Sequence, residues 1–320
     1  GAAAPRPALP LRLVASWLSG ELVGEVPVEP PQRLGSAKHA LGALARTPAR
    51  YLRLVLGGRD LCDESTVEEE GLLAQASEDG VVRVYLLRMP PEAPSFLAIA
   101  EDDPQLVPFL VECGADPNET DELGWTALHW AAHHRHVAVS EAILARPDYA
   151  MADAQDIGKK TALHAFAEHG LASLCQVLAA RPDFTKLNAR GPNGNTALHW
   201  AARNGHAEVC EAILRLDGFT AINEQNLYGW TALHYAAAIG LDKVCGQILA
   251  HPRFQAAAEV TNNGETALHW AALNGRLDVC RLLLRDGRID SKVPDVEGII
   301  AVDGARTHGH KAVCALLLAD

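Results

Sequence analysis

Two residue types capable of metal and nucleophilic chemistry recur in this chain at a fixed interval. Histidine stands at His129, His164, His199, His234 and His269, each 35 residues after the last. Cysteine stands at Cys175, Cys210, Cys245 and Cys280 with the same interval, and Cys314 follows after 34. Histidine is the commonest metal ligand, and a thiolate is both a nucleophile and a zinc ligand. The spacing argues against either use. Helices in successive stacked units lie about 8–10 Å apart, whereas zinc holds nitrogen ligands at about 2 Å. Equivalent histidines of neighbouring units therefore cannot share one ion. The cysteines fall on an apolar stripe such as Val209, Cys210, Ile213 and Leu214, where a thiol acts as a small hydrophobe. The group His133, His134 and His136 offers at most adventitious metal binding. No phosphate loop, Gly-x-Ser-x-Gly or His-Glu-x-x-His occurs, and Gly57-Gly58 is too short to hold a nucleotide. The expectation is a protein with no catalytic residue, no metal and no cofactor.

Bulk properties narrow the partners. The chain has 320 residues, 48% hydrophobic, with 40 acidic against 28 basic residues and a formal net charge of -12. Nucleic-acid and anionic-lipid surfaces both call for a basic face, so neither is expected. No apolar run approaches the 18 or so residues that a membrane helix needs. Seven cysteines, an odd number placed as buried thiols, suit a reducing compartment, cytosol or nucleus.

The elements that carry these residues are repeats. Thr-Ala-Leu-His begins at Thr126, Thr161, Thr196, Thr231 and Thr266. Each unit reads as helix, turn, helix. Thr196 is placed to cap the first helix, whose small apolar face is Ala197, Leu198, Ala201 and Ala202. Gly205 ends that helix in the left-handed region. The stripe around Cys210 forms the second helix, and Asn193-Gly194 supplies a tight turn ahead of the unit. One unit cannot bury its own face, so the units must stack. Arg135 occupies the position where the other units carry glycine, which predicts a strained left-handed arginine.

On Gly-x-Thr-x-Leu-His-x-Ala-Ala, present at residues 124–132, 194–202, 229–237 and 264–272, residues 93–320 resemble the ankyrin-repeat family. Alanine replaces the family's usual proline after the threonine, and the period exceeds the usual one of about 33. A looser first unit spans 96–118, and the last unit is degenerate, with Ile300 and Asp303 in place of threonine and histidine. About seven repeats result. The resemblance implies an all-α solenoid with β-hairpin loops that binds a partner protein in a concave groove. The histidine would tie each hairpin to its neighbour. The groove positions are Leu123, Trp125, His133 and His134, then Lys160. They continue with Asn193, Asn195, Arg203 and Asn204, then Tyr228, Trp230 and Ile239, then Asn263, Glu265 and Asn274. Ile157, Glu168, His169, Leu227, Ala238 and Leu273 occupy the remaining equivalent places. Trp125, Tyr228 and Trp230 are either interface anchors or packed against neighbouring tips of their own chain. Trp130, Trp200 and Trp270, with Tyr235, are expected to pack.

Residues 1–8 read as a tail, and residues 9–89 change periodicity. Leu11-x-Leu13-x-Ala15, Val23 to Val28, Leu52-x-Leu54-x-Leu56 and Val82-x-Val84-x-Leu86 alternate as strands, with a helical spacing over Leu34, Ala37, Leu41 and Leu44. The order β-β-α-β-β is that of a small α+β domain. On Leu18-Ser19-Gly20 and the run Leu52 to Leu61 it resembles ubiquitin, which implies a β-grasp fold. It lacks a terminal Gly-Gly after Leu87-Arg88-Met89-Pro90 and retains Lys38 alone of ubiquitin's lysines, so a built-in domain is implied, not a conjugated modifier. The apolar patch of that family falls on Leu18, Val55 and Tyr85, as a docking patch or as ordinary strand residues. Three functions follow: a monomeric protein-binding scaffold, a ubiquitin-pathway adaptor docking through the N-terminal domain, or the N-terminal regulatory fragment of a larger enzyme or channel.

Overall fold

The computed structural model describes residues 11–17, 22–28, 40, 41, 43, 52–56, 59–60, 81–88, 107, 110, 111 and 115–320. The chain divides into two compact units, Gly1–Pro117 and Asn118–Asp320.

The first unit contains a five-stranded sheet: β1 (Leu11–Trp17), β2 (Leu22–Val28), β3 (Leu52–Leu56), β4 (Arg59–Asp60) and β5 (Val81–Arg88), in the order β2-β1-β5-β3-β4. β1 runs parallel to β5, with Arg12 opposite Val81, and antiparallel to β2, with Leu11 opposite Val28. β3 is antiparallel to both β5 and β4. The alternating segments of the sequence thus form strands. The two-residue β4 is an addition, too short to show alternation. Within the expected helix, Ala40, Leu41 and Ala43 are helical, and Leu41 is fully buried.

The second unit is a stack of helix pairs. The first helices are α1 (Ala127–His133), α3 (Ala162–His169), α5 (Ala197–Arg203), α7 (Ala232–Ile239), α9 (Ala267–Leu273) and α11 (Ala301–Thr307). The second helices are α2 (Val137–Leu144), α4 (Ala172–Ala179), α6 (Ala207–Leu214), α8 (Asp242–Ala250), α10 (Leu277–Asp286) and α12 (Lys311–Ala319). Alanine lets the first helices approach: Ala131, Ala132, Ala201, Ala202, Ala236, Ala237, Ala271 and Ala272 have no exposed surface. The predicted cap is present at Thr196, whose hydroxyl oxygen accepts from the His199 amide at 3.5 Å while the Thr196 amide donates to His199 Nδ1 at 3.1 Å. Gly205 follows at φ 76°. Of the looser first unit, Val107, Leu110 and Val111 are helical, and the rest before Ala115 lies outside the described residues.

The connecting loops explain the long period. Tyr149, Phe219 and Phe254, all buried, stand 35 residues apart or a multiple of that. Each anchors a loop against the stack. Arginines of the next loop cover two of them: Arg181 lies 5.7 Å over Tyr149 and donates to its carbonyl, and Arg288 lies 5.5 Å over Phe254 and does the same. A side-chain ladder runs outside them. Asp153 accepts from the amides of Thr185 and Lys186, Asn188 from those of Thr220 and Ala221, and Asn223 from those of Gln255 and Ala256, all at 2.7–3.1 Å.

Candidate protein-interaction surface

The hairpin ahead of each first helix is tied to the next through its backbone. The amides of Ile157, Leu227, Asn262 and Val296 donate to the carbonyls of Leu123, Asn193, Tyr228 and Asn263 at 2.9–3.0 Å. The equivalent position in the remaining unit is Pro192, which has no amide hydrogen to give. Large apolar side chains stand out from this row: Leu123 is 50% exposed, Ile157 77%, Leu227 67%, Tyr228 55% and Val296 70%.

Beside the tips, the first helices present aromatic side chains. Trp230 sits 4.5 Å from Trp270 and 4.6 Å from Tyr235, ring centre to ring centre. Trp125 packs edge-on to Trp130 at 5.1 Å and to His133 at 5.4 Å, and its indole donates to Asp156 at 3.2 Å. Both tryptophans are half-buried, so each packs on its own chain while keeping one part open. Trp200 is flanked by Lys160 at 5.5 Å and Arg203 at 5.7 Å, with Lys160 paired to Glu168. Trp130, Trp200 and Trp270 are half-buried with their indole nitrogens shielded, as packing residues are.

The other sequence-predicted positions divide. His133, His134, Asn193, Arg203, Asn204, Ile239, Asn263 and Asn274 are exposed, while Lys160, Glu265, Glu168 and His169 are half-buried. Asn204 and Asn274 bond back to the carbonyls of Trp200 and Trp270, which closes their own helices. Asn195 does not line an open surface. It is 2% exposed, donates to the Pro192 carbonyl and accepts from Asn226 at 2.9 Å, because an amide at that place is drawn into the turn. Leu18 lies outside the described residues; Val55 and Tyr85 are register partners across β3 and β5.

The periodic histidines are bound by the chain on both ring nitrogens. Nδ1 accepts from the threonine amide, which leaves the proton on Nε2 to be donated to the following hairpin. His129 reaches Lys160, His199 reaches Trp230, His234 reaches Glu265 and His269 reaches Ile299, at 3.0–3.2 Å. His164 reaches both Ala189 and Asn195. Burial holds His164, His199 and His234 at a pKa of about 4, and lowers that of His129. In the last unit Asp303 accepts from the Ile300 amide at 3.4 Å, which keeps half of the arrangement without the outward donor. Burial pushes the thiols of Cys175, Cys210, Cys245 and Cys280 up to about 12, the opposite of an activated nucleophile. Cys62 and Cys113 lie outside the described residues. Among the described residues no group of three or more His, Cys, Asp or Glu is placed to hold a metal ion, and no helix is long and apolar enough to cross a membrane.

One feature of this surface has no counterpart among the sequence-predicted positions apart from Asn263, Glu265 and Leu273. A cleft of about 550 Å³ opens between the last two first helices, with Trp270, Asp295, Glu297, Asp303 and Gly304 in its walls. Its one trace in the sequence is Gly304, at the place where four units carry tryptophan or tyrosine and one carries Ala165.

The family model for ankyrin repeats (3 copies) matches residues 95–188, 141–226, 167–251, 216–295 and 247–320. No match to a curated protein is found for the chain. The repeating threonine–histidine caps, the hydrogen-bonded hairpin row and a family match over most of its length agree: the chain belongs to the ankyrin-repeat family of protein-interaction modules.

Proposed function

We propose that this protein is a non-catalytic scaffold that grips a segment of a partner protein along the hairpin tips and first helices. The observation that carries this is the row of exposed apolar tips beside half-open aromatic rings. Scattered apolar residues on a surface are ordinary, but these recur along one hydrogen-bonded line of tips, interspersed with Asn193, Asn262 and Asn263, the mixture of apolar and polar groups that an interface uses. Tyr228 and Trp230 are the anchors, since large aromatics at a partly desolvated centre dominate binding energy. Leu123, Trp125, His133, His134, Lys160, Asn193, Arg203, Asn204, Ile239, Asn263, Glu265 and Asn274 supply the surrounding contacts. The domains are 9–89 and 93–320, and the protein works in a reducing compartment, where four buried thiols stay reduced.

A second reading has its own observation. The sheet order β2-β1-β5-β3-β4, with a central parallel pair, is the arrangement that a ubiquitin-like domain requires. In that reading the first unit docks on a ubiquitin receptor through Leu18, Val55 and Tyr85 while the repeats hold a client.

One experiment tests both. The full chain is used as bait in native lysate, and each recovered partner is titrated against Tyr228→Ala, Trp230→Ala and Val55→Arg. Loss of about 2 kcal/mol of affinity with each aromatic variant, in chains that melt as wild type does, supports the scaffold. Unchanged dissociation constants with both aromatic variants reject it. Loss with Val55→Arg alone, on a ubiquitin receptor, favours the second reading.

A further inference from the structure

In three units the residue just before the capping position is linked to an aromatic of the next unit's first helix; the unit that carries Ala165 at that place is the exception. Trp230 packs on Trp270. Asn195 and Tyr235 are joined through Asn226, whose amide donates to both, at 2.9 and 3.0 Å. Lys160 lies over the face of Trp200, with Glu168 as its counter-ion. The last pair in this series is Glu265 and Gly304. Gly304 has no side chain, an added Cβ would meet Leu273 at 3.6 Å, and the cleft of about 550 Å³ is lined by Gly304, Leu273 and Glu265. Its size is that of a small-ligand pocket.

The walls have a definite chemistry. Trp270 supplies an aromatic surface, and Glu265, Asp295, Glu297 and Asp303 supply four carboxylates. Their internal bonds are few. Asp295 accepts from the amides of Glu297 and Ile299 at 2.9 Å, and Glu265 accepts from the Thr261 hydroxyl at 3.0 Å. Asp303 accepts from Arg306 at 2.6 Å and from the Ile300 amide. Arg306 is the one cation bonded to these groups among the described residues, and it is not part of the lining. A carboxylate accepts up to about four hydrogen bonds, so each retains capacity.

We propose that this cleft receives an arginine side chain from the bound segment, with its guanidinium plane against Trp270 and its donors on Glu265 and Glu297. The proposal rests on the interaction reading above and specifies the partner's chemistry. Mid-groove, the chain makes the same arrangement with its own residues: the cation Lys160, the indole of Trp200 and the carboxylate of Glu168. Arginine fits better than lysine. Its planar fork bonds two carboxylate oxygens at once, stacks on an indole and gives up hydration more readily.

The test is selection of a random peptide display library on the full chain, in parallel with a Glu265→Gln/Glu297→Gln double variant and with Gly304→Leu, which fills the cleft. Arginine should be enriched at one position on the wild-type chain and return to library frequency on both variants. A selected peptide remade with citrulline, which keeps the shape and loses the charge, should bind the wild-type chain about tenfold more weakly or worse. This last measurement needs no variant to fold. Selected peptides without arginine enrichment, or equal binding of the citrulline form, overturn the cleft assignment. If those peptides still depend on Trp230, the groove reading stands without it. Equal enrichment of lysine overturns the choice of arginine, and a failure to enrich any peptide counts against both readings.

Discussion

Arg135 holds a φ of 59° at the place where Gly170, Gly205, Gly240, Gly275 and Gly309 hold 68–93°. A side chain in this region costs about 1–2 kcal/mol. Glycine gives back part of that through its freer unfolded chain, about 0.5–1 kcal/mol. Arg135→Gly should therefore stabilise the array by up to about 1 kcal/mol, read as a rise of about 2–4 °C in melting temperature; no rise would reject the strain. This strain was legible from the repeat alignment alone. Lys159, at φ 65°, is a second case that the alignment held but that the tetrapeptide did not expose. It stands two residues before the capping threonine, where Gly124, Gly194, Gly229 and Gly264 stand in other units. Asn195 shows the limit of reading single positions. Its place in the repeat belongs to the binding face, yet a short amide there finds the Pro192 carbonyl and Asn226 and turns inward.

At the scale of the helix pair, the threonine–histidine cap does two jobs. It closes the first helix and ties that helix to the next hairpin. Both bonds require a neutral ring with its proton on Nε2. In the unfolded chain these histidines titrate near 6.5, and in the fold His164, His199 and His234 titrate at about 4. Because the folded pKa is depressed, the unfolded chain binds protons that the native chain refuses. The full contribution is present above pH 6.5 and falls as pH drops towards 4, by about 1.4 kcal/mol per pH unit for each histidine. Urea midpoints measured between pH 7.5 and 5 should fall steeply, and a flat profile would contradict the buried neutral rings. Helix order, caps and turns were legible because each is written five times over. The buried aromatics Tyr149, Phe219 and Phe254 recur on the same period, but their burial is not legible in the sequence because they lie in loops that read as polar connectors.

At the scale of the molecule, strand alternation was enough to find β1, β2, β3 and β5, while the pairing of β1 with β5 is not contained in that alternation and could be expected only through the resemblance to ubiquitin. The cleft left only one trace in the sequence, the missing side chain at Gly304, because its walls are gathered from residues 263 to 307. Pro192 has the widest reach. A stack of repeats is a one-dimensional cooperative system, in which stability is the sum of unit terms and nearest-neighbour couplings. Every other described hairpin boundary after Leu123 includes an amide-to-carbonyl bond between tips, worth about 1 kcal/mol, and the boundary at Pro192 lacks it. That one bond is missing from the coupling at this seam, so restoring it should tie the tips on either side of Pro192 more firmly. Pro192→Ala, which supplies the donor, should slow native-state hydrogen exchange in the hairpin of residues 191–195; unchanged exchange there would reject the missing bond.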